Sequence, residues 1–323
     1  MTGTAITRPP LGIRLLGALR TDPDWPALAP GALDAYRAAE NRRRSSPLTR
    51  VVSGFPERGA RLAWQSVDLG DRVIRVRVCR AVSARGPLPL VLHVHGGGFV
   101  GTAVQSDWLT SHLAVRLPAV VVSVEHRLVA AGTPLSAAAD DGADTLQRLV
   151  RDAASWGTDP ARVAVAGESA GATIAALTAI RARDAGLTLR AQVLVNPCID
   201  LTPAGLDFPS VREHATTATL TVPQLEFFRR LAVPGGGDAR AVSPRYAGDL
   251  SGLAPALVVV PVLDPLADHG RTYATALRAA GTPAVLAEHP GAPHAFLSMP
   301  GLVRRARAAR AQITGFLRDR LAP

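Results

Sequence analysis

Short apolar runs recur along the middle and C-terminal parts of the chain, at 88–94, 119–124, 163–166, 191–195, 256–261 and 284–287. Each has the length of a strand and is rich in Val, Leu or Ala. Continuous runs of this kind are what strands buried on both faces look like, so they predict a parallel sheet. Helix-like patterns lie between and beyond them, at 106–116, 137–154, 170–185, 268–280 and 302–321. Strand and helix in alternation predict a doubly wound α/β fold. Ahead of these runs, 62–69 and 73–79 alternate apolar and polar positions, and Gly70-Asp71 stands between them. That pattern predicts an antiparallel pair at the sheet edge.

Two regions break the rhythm. The first fifty or so residues carry no strand signal, but 32–44 reads as a helix between Pro30-Gly31 and Ser45-Ser46-Pro47. A second break separates the run ending at Val195 from the run starting at Ala256. It holds a helical segment, 222–231, and the flexible stretch Pro234-Gly235-Gly236-Gly237. The expected division is an N-terminal cap segment 1–55, a catalytic domain 56–323 and a cap insertion 200–242 within it.

Composition narrows the partners. The chain has 323 residues, 47% of them hydrophobic and only 4% aromatic, so the core is expected to be aliphatic. The net charge is +10, and every basic residue is Arg. These arginines are spread out and no nucleic-acid motif accompanies them, so no nucleic-acid partner is expected. The clusters Arg42-Arg43-Arg44 and Arg304-Arg305-Ala306-Arg307 read as solvated helix faces. Cys79 and Cys198 make no disulfide framework and are expected as free thiols in a reducing cytoplasm. The apolar run 11–20 is interrupted by Arg14 and reads as no signal peptide, and no stretch reaches the ~20 apolar residues of a membrane span. Asp140, Asp141 and Asp144 share a helical segment and are expected as solvated or capping residues. No metal-ligand spacing and no cofactor motif occurs.

The chemistry concentrates in three places. Gly167-Glu168-Ser169-Ala170-Gly171 follows a strand and opens a helix, the context of a nucleophile elbow, and makes Ser169 the candidate nucleophile. His95-Gly96-Gly97-Gly98-Phe99 follows the strand at 88–94. The backbone N–H groups of Gly96 and Gly97, with that of Ala170, are candidate donors to an oxyanion. His95 is expected to brace this loop. Asp264 and His294 each follow a later strand, on the edge where ligands bind in open α/β sheets. His294 is then the base and Asp264 the acid behind it, in the chain order Ser, acid, His. Two alternatives are Asp268, read instead as a helix N-cap, and His289, read as the end of a strand. His112, His214 and His269 have no motif and read as surface or cap residues. Candidate substrate-binding residues are Phe99, Trp108, Leu220, Phe296 and Leu297, all on motif-adjacent loops or the cap.

Together the segments 95–99, 167–171, 264–268 and 291–296 resemble the hormone-sensitive-lipase-like (family IV) esterases of the α/β-hydrolase superfamily. Ser243-Pro244 and 249–253 add to the likeness, which runs from about Arg61 to the C-terminus. The resemblance implies an α/β-hydrolase fold, with a mostly parallel sheet flanked by helices and a helical cap. It implies hydrolysis of small-molecule carboxylic esters of short to medium acyl chain, without a cofactor, and is compatible with a homodimer. One run and three single positions depart from the family pattern. The run 126–131 replaces a Tyr-Arg-Leu-Ala-Pro-Glu-like segment, and Ala295 stands where Gly usually follows the base. His289 stands where an aromatic residue is common, and His269 where Glu is common. A specialised acyltransferase, cyclase or lactone-processing enzyme on the same scaffold is the alternative reading, and a non-catalytic ligand receptor a further one.

Overall fold

The alternation of apolar runs and helical patterns becomes one large sheet wrapped by helices. The computed structural model describes residues 8–19 and 21–323. The first seven residues and Arg20, part of the expected cap segment and, for Arg20, of the run read against a signal peptide, lie outside the described residues. In chain order the helices are α1 (Leu11–Leu19), α2 (Pro30–Ser45) and the short α3 (Arg50–Ser53). The strands β1 (Ala60–Asp68), β2 (Val73–Ala81) and β3 (Leu88–Val94) follow. Then come α4 (Asp107–Arg116), β4 (Val120–Val124), α5 (Leu135–Arg151), α6 (Ala153–Trp156), β5 (Thr158–Glu168), α7 (Ala170–Asp184) and β6 (Ala191–Val195). The second break carries α8 (Pro209–Glu213), a two-residue hairpin of β7 (Thr216–Thr217) and β8 (Leu220–Thr221), and α9 (Val222–Ala232). The chain closes with β9 (Ala256–Leu263), α10 (Ala267–Ala279), β10 (Ala284–Pro293) and α11 (Arg305–Leu321).

The sheet runs β1-β2-β4-β3-β5-β6-β9-β10. The β1/β2 pair is antiparallel, with Ala60 opposite Ala81 and Asp68 opposite Val73, and β2 runs antiparallel to β4. From β4 to β10 every pairing is parallel. Burial explains the sequence patterns. Every residue of β3, β4 and β6 is buried, because helices cover both faces. The outermost strand β1 is mostly exposed, so it keeps polar positions.

Residues 200–242 divide in two. The first part stays on the sheet domain, where Ser210 N–H donates to Asp268 Oδ2 (2.9 Å) and Ser210 Oγ to the carbonyl of Pro265 (2.8 Å). The second part meets the N-terminal segment. Trp25 packs against Tyr36, Phe99 and Phe227 with ring centroids 5.2–5.6 Å apart. Few aromatics are present, and four of them gather at this one seam.

Several sequence expectations change at this level. Asp141 is fully buried and held by Arg127 (2.8 Å) and Arg72 (2.9 Å), with Asp144 also on Arg72 (2.6 Å); a buried carboxylate needs such partners. His269 is 1% exposed and belongs to the interior, its Nδ1 accepting from Ile199 N–H and its Nε2 meeting the carbonyl of Gly205 (2.9 Å). Asp268 is not the cap of α10 but lies inside its first turn, bonded to Ser210 and Arg271. Arg44 turns away from the solvated face toward the interior, while Arg42 and Arg43 stay exposed. Among the described residues no helix is long and apolar enough to cross a membrane.

Candidate active site

Strand β5 ends at Glu168 and α7 begins at Ala170, so Ser169 is the whole turn between them. It holds φ 56° and ψ −123°, a backbone state that a non-glycine residue adopts only when its surroundings enforce it. The flanking glycines make that possible. A Cβ on Gly167 would lie 2.2 Å from the carbonyl oxygen of Gly171, and one on Gly171 would lie 2.2 Å from that of Val94. Only hydrogen fits at either position. The turn lifts the Ser169 hydroxyl clear of the sheet and points the N-terminus of α7 at it.

Two later strand ends meet this hydroxyl. The Ser169 Oγ lies 2.9 Å from His294 Nε2, and His294 Nδ1 lies 2.8 Å from Asp264 Oδ2. Asp264 is fully buried, and its Oδ1 accepts the N–H of Leu266 (2.9 Å). His294 immediately follows β10 and Asp264 immediately follows β9, so the sheet itself sets their separation. His289 lies within β10, paired opposite Pro261, and does not line the cavity that holds Ser169.

The glycine loop closes the other side. Gly97, Gly98 and Gly101 have φ of 108°, 54° and 125°. A Cβ on Gly97 would sit 1.8 Å from the carbonyl oxygen of Val100, in a tight turn closed by the Val100 N–H donating to the carbonyl of Gly97 (2.8 Å). Among the described residues, the backbone N–H groups of Gly96, Gly97 and Ala170 donate to no protein acceptor. All three border the same cavity as Ser169 and His294, whose volume is about 540 Å³. His95 lies under the loop, stacked on His126 at 4.4 Å, and His126 Nε2 reaches the His95 carbonyl (3.3 Å). The departure from Tyr at position 126 therefore builds a buried imidazole pair. Burial lowers the pKa of both, and of His93 (to about 4) on the strand beneath, so all three are held neutral.

Of the candidate pocket residues, Phe99 and Leu220 line the cavity. Trp108, Phe296 and Leu297 do not, and this corrects the sequence expectation. All three belong to the hydrophobic core. Trp108 is covered by the Arg310 guanidinium, 3.7 Å from its ring centroid. Closeness to a motif along the chain says nothing about which way a side chain faces.

Sequence reasoning missed many cavity residues, among them the charged Glu168, Glu40 and Arg44. Glu168, between the elbow's Gly and Ser, is buried; its Oε2 accepts from Ser298 Oγ (2.5 Å) and its Oε1 has no partner. Burial raises its pKa, which favours the neutral acid. Glu40 and Arg44 enter from α2. The helical period of 32–44 was legible, but not which face would meet a loop sixty residues away. Cys79 and Cys198 are buried and unpaired, with thiol pKa values pushed up to about 12 by burial. Among the described residues no group of His, Cys, Asp or Glu is arranged to hold a metal.

A parallel sheet that delivers a hydroxyl, an imidazole and a buried carboxylate in relay places the chain among the serine hydrolases. The chain belongs to the α/β-hydrolase-fold family, in its hormone-sensitive-lipase-like branch; the family described as alpha/beta hydrolase fold matches residues 91–298. It is 37% identical over 244 residues to carboxylesterase NlhH of Mycobacterium tuberculosis, covering 73% of this chain and 75% of that one. It is 30% identical to the ethyl acetate hydrolase of Pseudomonas putida, over 90% of this chain and 92% of that one. Among solved structures it is similar to the hyperthermophilic esterase from the archaeon Pyrobaculum calidifontis, with a TM-score of 0.84, 31% identity, and coverage of 97% and 98%.

Proposed function

We propose that the chain is a serine carboxylesterase that hydrolyses short- to medium-chain esters through an acyl-enzyme on Ser169. The observation that carries this reading is the relay Ser169–His294–Asp264, with links of 2.9 and 2.8 Å, opening into the cavity beside three undonated backbone N–H groups. The names of the relatives, carboxylesterase, ethyl acetate hydrolase and esterase, support the reaction class.

In this mechanism His294 takes the proton of Ser169 as Oγ attacks the ester carbonyl. Asp264 fixes the imidazole's orientation and stabilises its protonated form. The oxyanion rests on the N–H groups of Gly96, Gly97 and Ala170, which border the cavity and are committed to no protein acceptor among the described residues. His294 then protonates the leaving alcohol. Water follows the same route in reverse and frees the acid. Phe99 and Leu220 form apolar wall for the acyl or alcohol group.

The same reading treats residues 1–55 and 200–242 as a cap over the catalytic domain 56–323, the Ser210 region being the footing of that insertion on the sheet domain. It includes a cytoplasmic setting, supported by the two buried unpaired thiols. A homodimer rests on the family resemblance alone; light scattering distinguishes 33.7 kDa from twice that mass. The test of the activity is p-nitrophenol release from acetate, butyrate and octanoate esters. Turnover by the wild type that favours acetate or butyrate is expected. A folded protein inert on all three would shift the reading to a specialised acyltransferase or cyclase.

A further inference from the structure

Helix α2 lies outside the sheet domain, yet two of its side chains bond the glycine loop directly and a third reaches it through Gln105. Arg37 Nε donates to the carbonyl of Phe99 (2.6 Å), and its Nη2 donates to that of Val129 (2.9 Å). Asn41 Oδ1 accepts the N–H of Gly101 (2.8 Å). Arg44 Nη1 donates to Gln105 Oε1 (2.9 Å), and Gln105 Nε2 donates to the carbonyl of Gly96 (3.2 Å). Glu40 accepts from both Arg43 (2.8 Å) and Arg44 (3.5 Å), which steadies the last arm. Positions 37, 41 and 44 are spaced four and three apart, so they form one stripe of the helix. Their contacts fall at the start, middle and end of the loop.

The loop needs such partners. Three of its glycines adopt positive φ, and glycine has little steric preference of its own there. A donor pair aimed at an oxyanion must nevertheless be held within a fraction of an ångström, since a shift of about 1 Å can cost ~10²-fold in rate.

We propose that Arg37, Asn41 and Arg44 are positioning residues that clamp the oxyanion loop from the N-terminal cap, so that the hole is complete only while α2 is seated. This rests on the reading of Gly96 and Gly97 as oxyanion donors. The N-terminal segment is then a wall of the pocket and also a support for transition-state binding.

The test compares wild type, Ser169→Ala, Asn41→Leu and Asn41→Asp on p-nitrophenyl butyrate, with folding checked by circular dichroism. Asn41→Leu is expected to lose about 10- to 100-fold in kcat while KM changes by less than about threefold. Asn41→Asp keeps an acceptor for Gly101 N–H and is expected to recover most of that loss. Affinity for phenylethylboronic acid, whose adduct carries a tetrahedral anion, falls in parallel with kcat. Hydrogen exchange at Gly101 quickens in Asn41→Leu. If Asn41→Leu does not fold, Arg37→Gln is read in the same way from the middle of the loop. A loss confined to KM, with kcat and boronate affinity unchanged, would make α2 a pocket wall and overturn the clamp. An inactive Ser169→Ala beside a normal Asn41→Leu overturns the clamp alone. A fully active Ser169→Ala overturns the esterase reading, and the clamp with it.

Discussion

Ser169, His294 and Asp264 stand on the ends of β5, β10 and β9, strands locked in one continuous hydrogen-bonded sheet. Gly96 and Gly97 stand on a loop whose outer face is bonded to a helix from another part of the chain. The two halves of the site therefore differ in what holds them. Ser169 and Asp264 follow interior strands, and His294 follows the edge strand β10 just past a register shift, so all three are set by strand ends of one sheet. The glycine loop instead is bonded to α2 and lies against the aromatic cluster around Trp25. Under the proposed function, the nucleophile is set by the sheet, while the proposed oxyanion donors are set by contacts with a helix from another part of the chain.

The largest expected effect falls on the rigid half. Ser169→Ala should lose roughly 10⁴- to 10⁶-fold in kcat on p-nitrophenyl butyrate with an unchanged melting temperature, since Oγ makes no structural bond besides that to His294. A stable variant that kept more than a tenth of wild-type kcat would rule out Ser169 as the nucleophile. Next is the loop half itself. Gly97→Ala places a Cβ 1.8 Å from the Val100 carbonyl at φ 108°, so the turn must move. Losing one oxyanion donor costs ~10² to 10³ in rate, and kcat for this variant should fall by about that much. A wild-type kcat would show that Gly97 N–H takes no part.

Acid should separate the halves in another way. His93, His95 and His126 lie in and beside the loop half, and burial lowers the pKa of each. Unfolded imidazoles titrate near ~6.5, so the unfolded chain binds protons before the folded one does. Their contribution is complete above about pH 6.5 and is lost as pH falls toward the folded value, about 4 for His93. The melting temperature should drop by several degrees between pH 7 and pH 4.5, and the slope should be shallower in His126→Tyr. A flat profile in that window, or an equal slope in the variant, would count against the buried pair.

The smallest effect concerns Ala295, beside the base. It sits at φ 55° and ψ 22°, the left-handed region. That conformation costs a non-glycine residue about 1–2 kcal/mol, while glycine adds about 0.4–1 kcal/mol of unfolded-state entropy. Ala295→Gly should gain roughly 0.5–1 kcal/mol in urea unfolding. A loss instead would mean that the Ala295 methyl packs usefully against the cavity.

The same contrast governs what could be read from the chain. Buried strands such as β3 and β4 announce themselves as apolar runs, and the antiparallel pair β1/β2 as alternation around a turn. The positions of Ser169, Asp264 and His294 follow from strand ends, and strand ends are local signals. The loop's supports are not local. Arg37 and Phe99 are 62 positions apart, and nothing in the period of α2 says which face meets a loop. Arg44 reads as one of three solvated arginines, and Trp108 as a pocket residue, because helix direction and cap placement are set by packing between distant segments. Asp141 and His269 read as surface residues for the same reason: their partners, Arg72 and Gly205, are remote in sequence.

The most direct test of the account is covalent. Wild-type protein treated with a p-nitrophenyl alkylphosphonate, digested and examined by mass spectrometry, should carry one adduct, on the peptide containing Ser169, and the Ser169→Ala variant should carry none. An adduct on another residue, or none on folded wild-type protein, would contradict the assignment of Ser169 as the nucleophile.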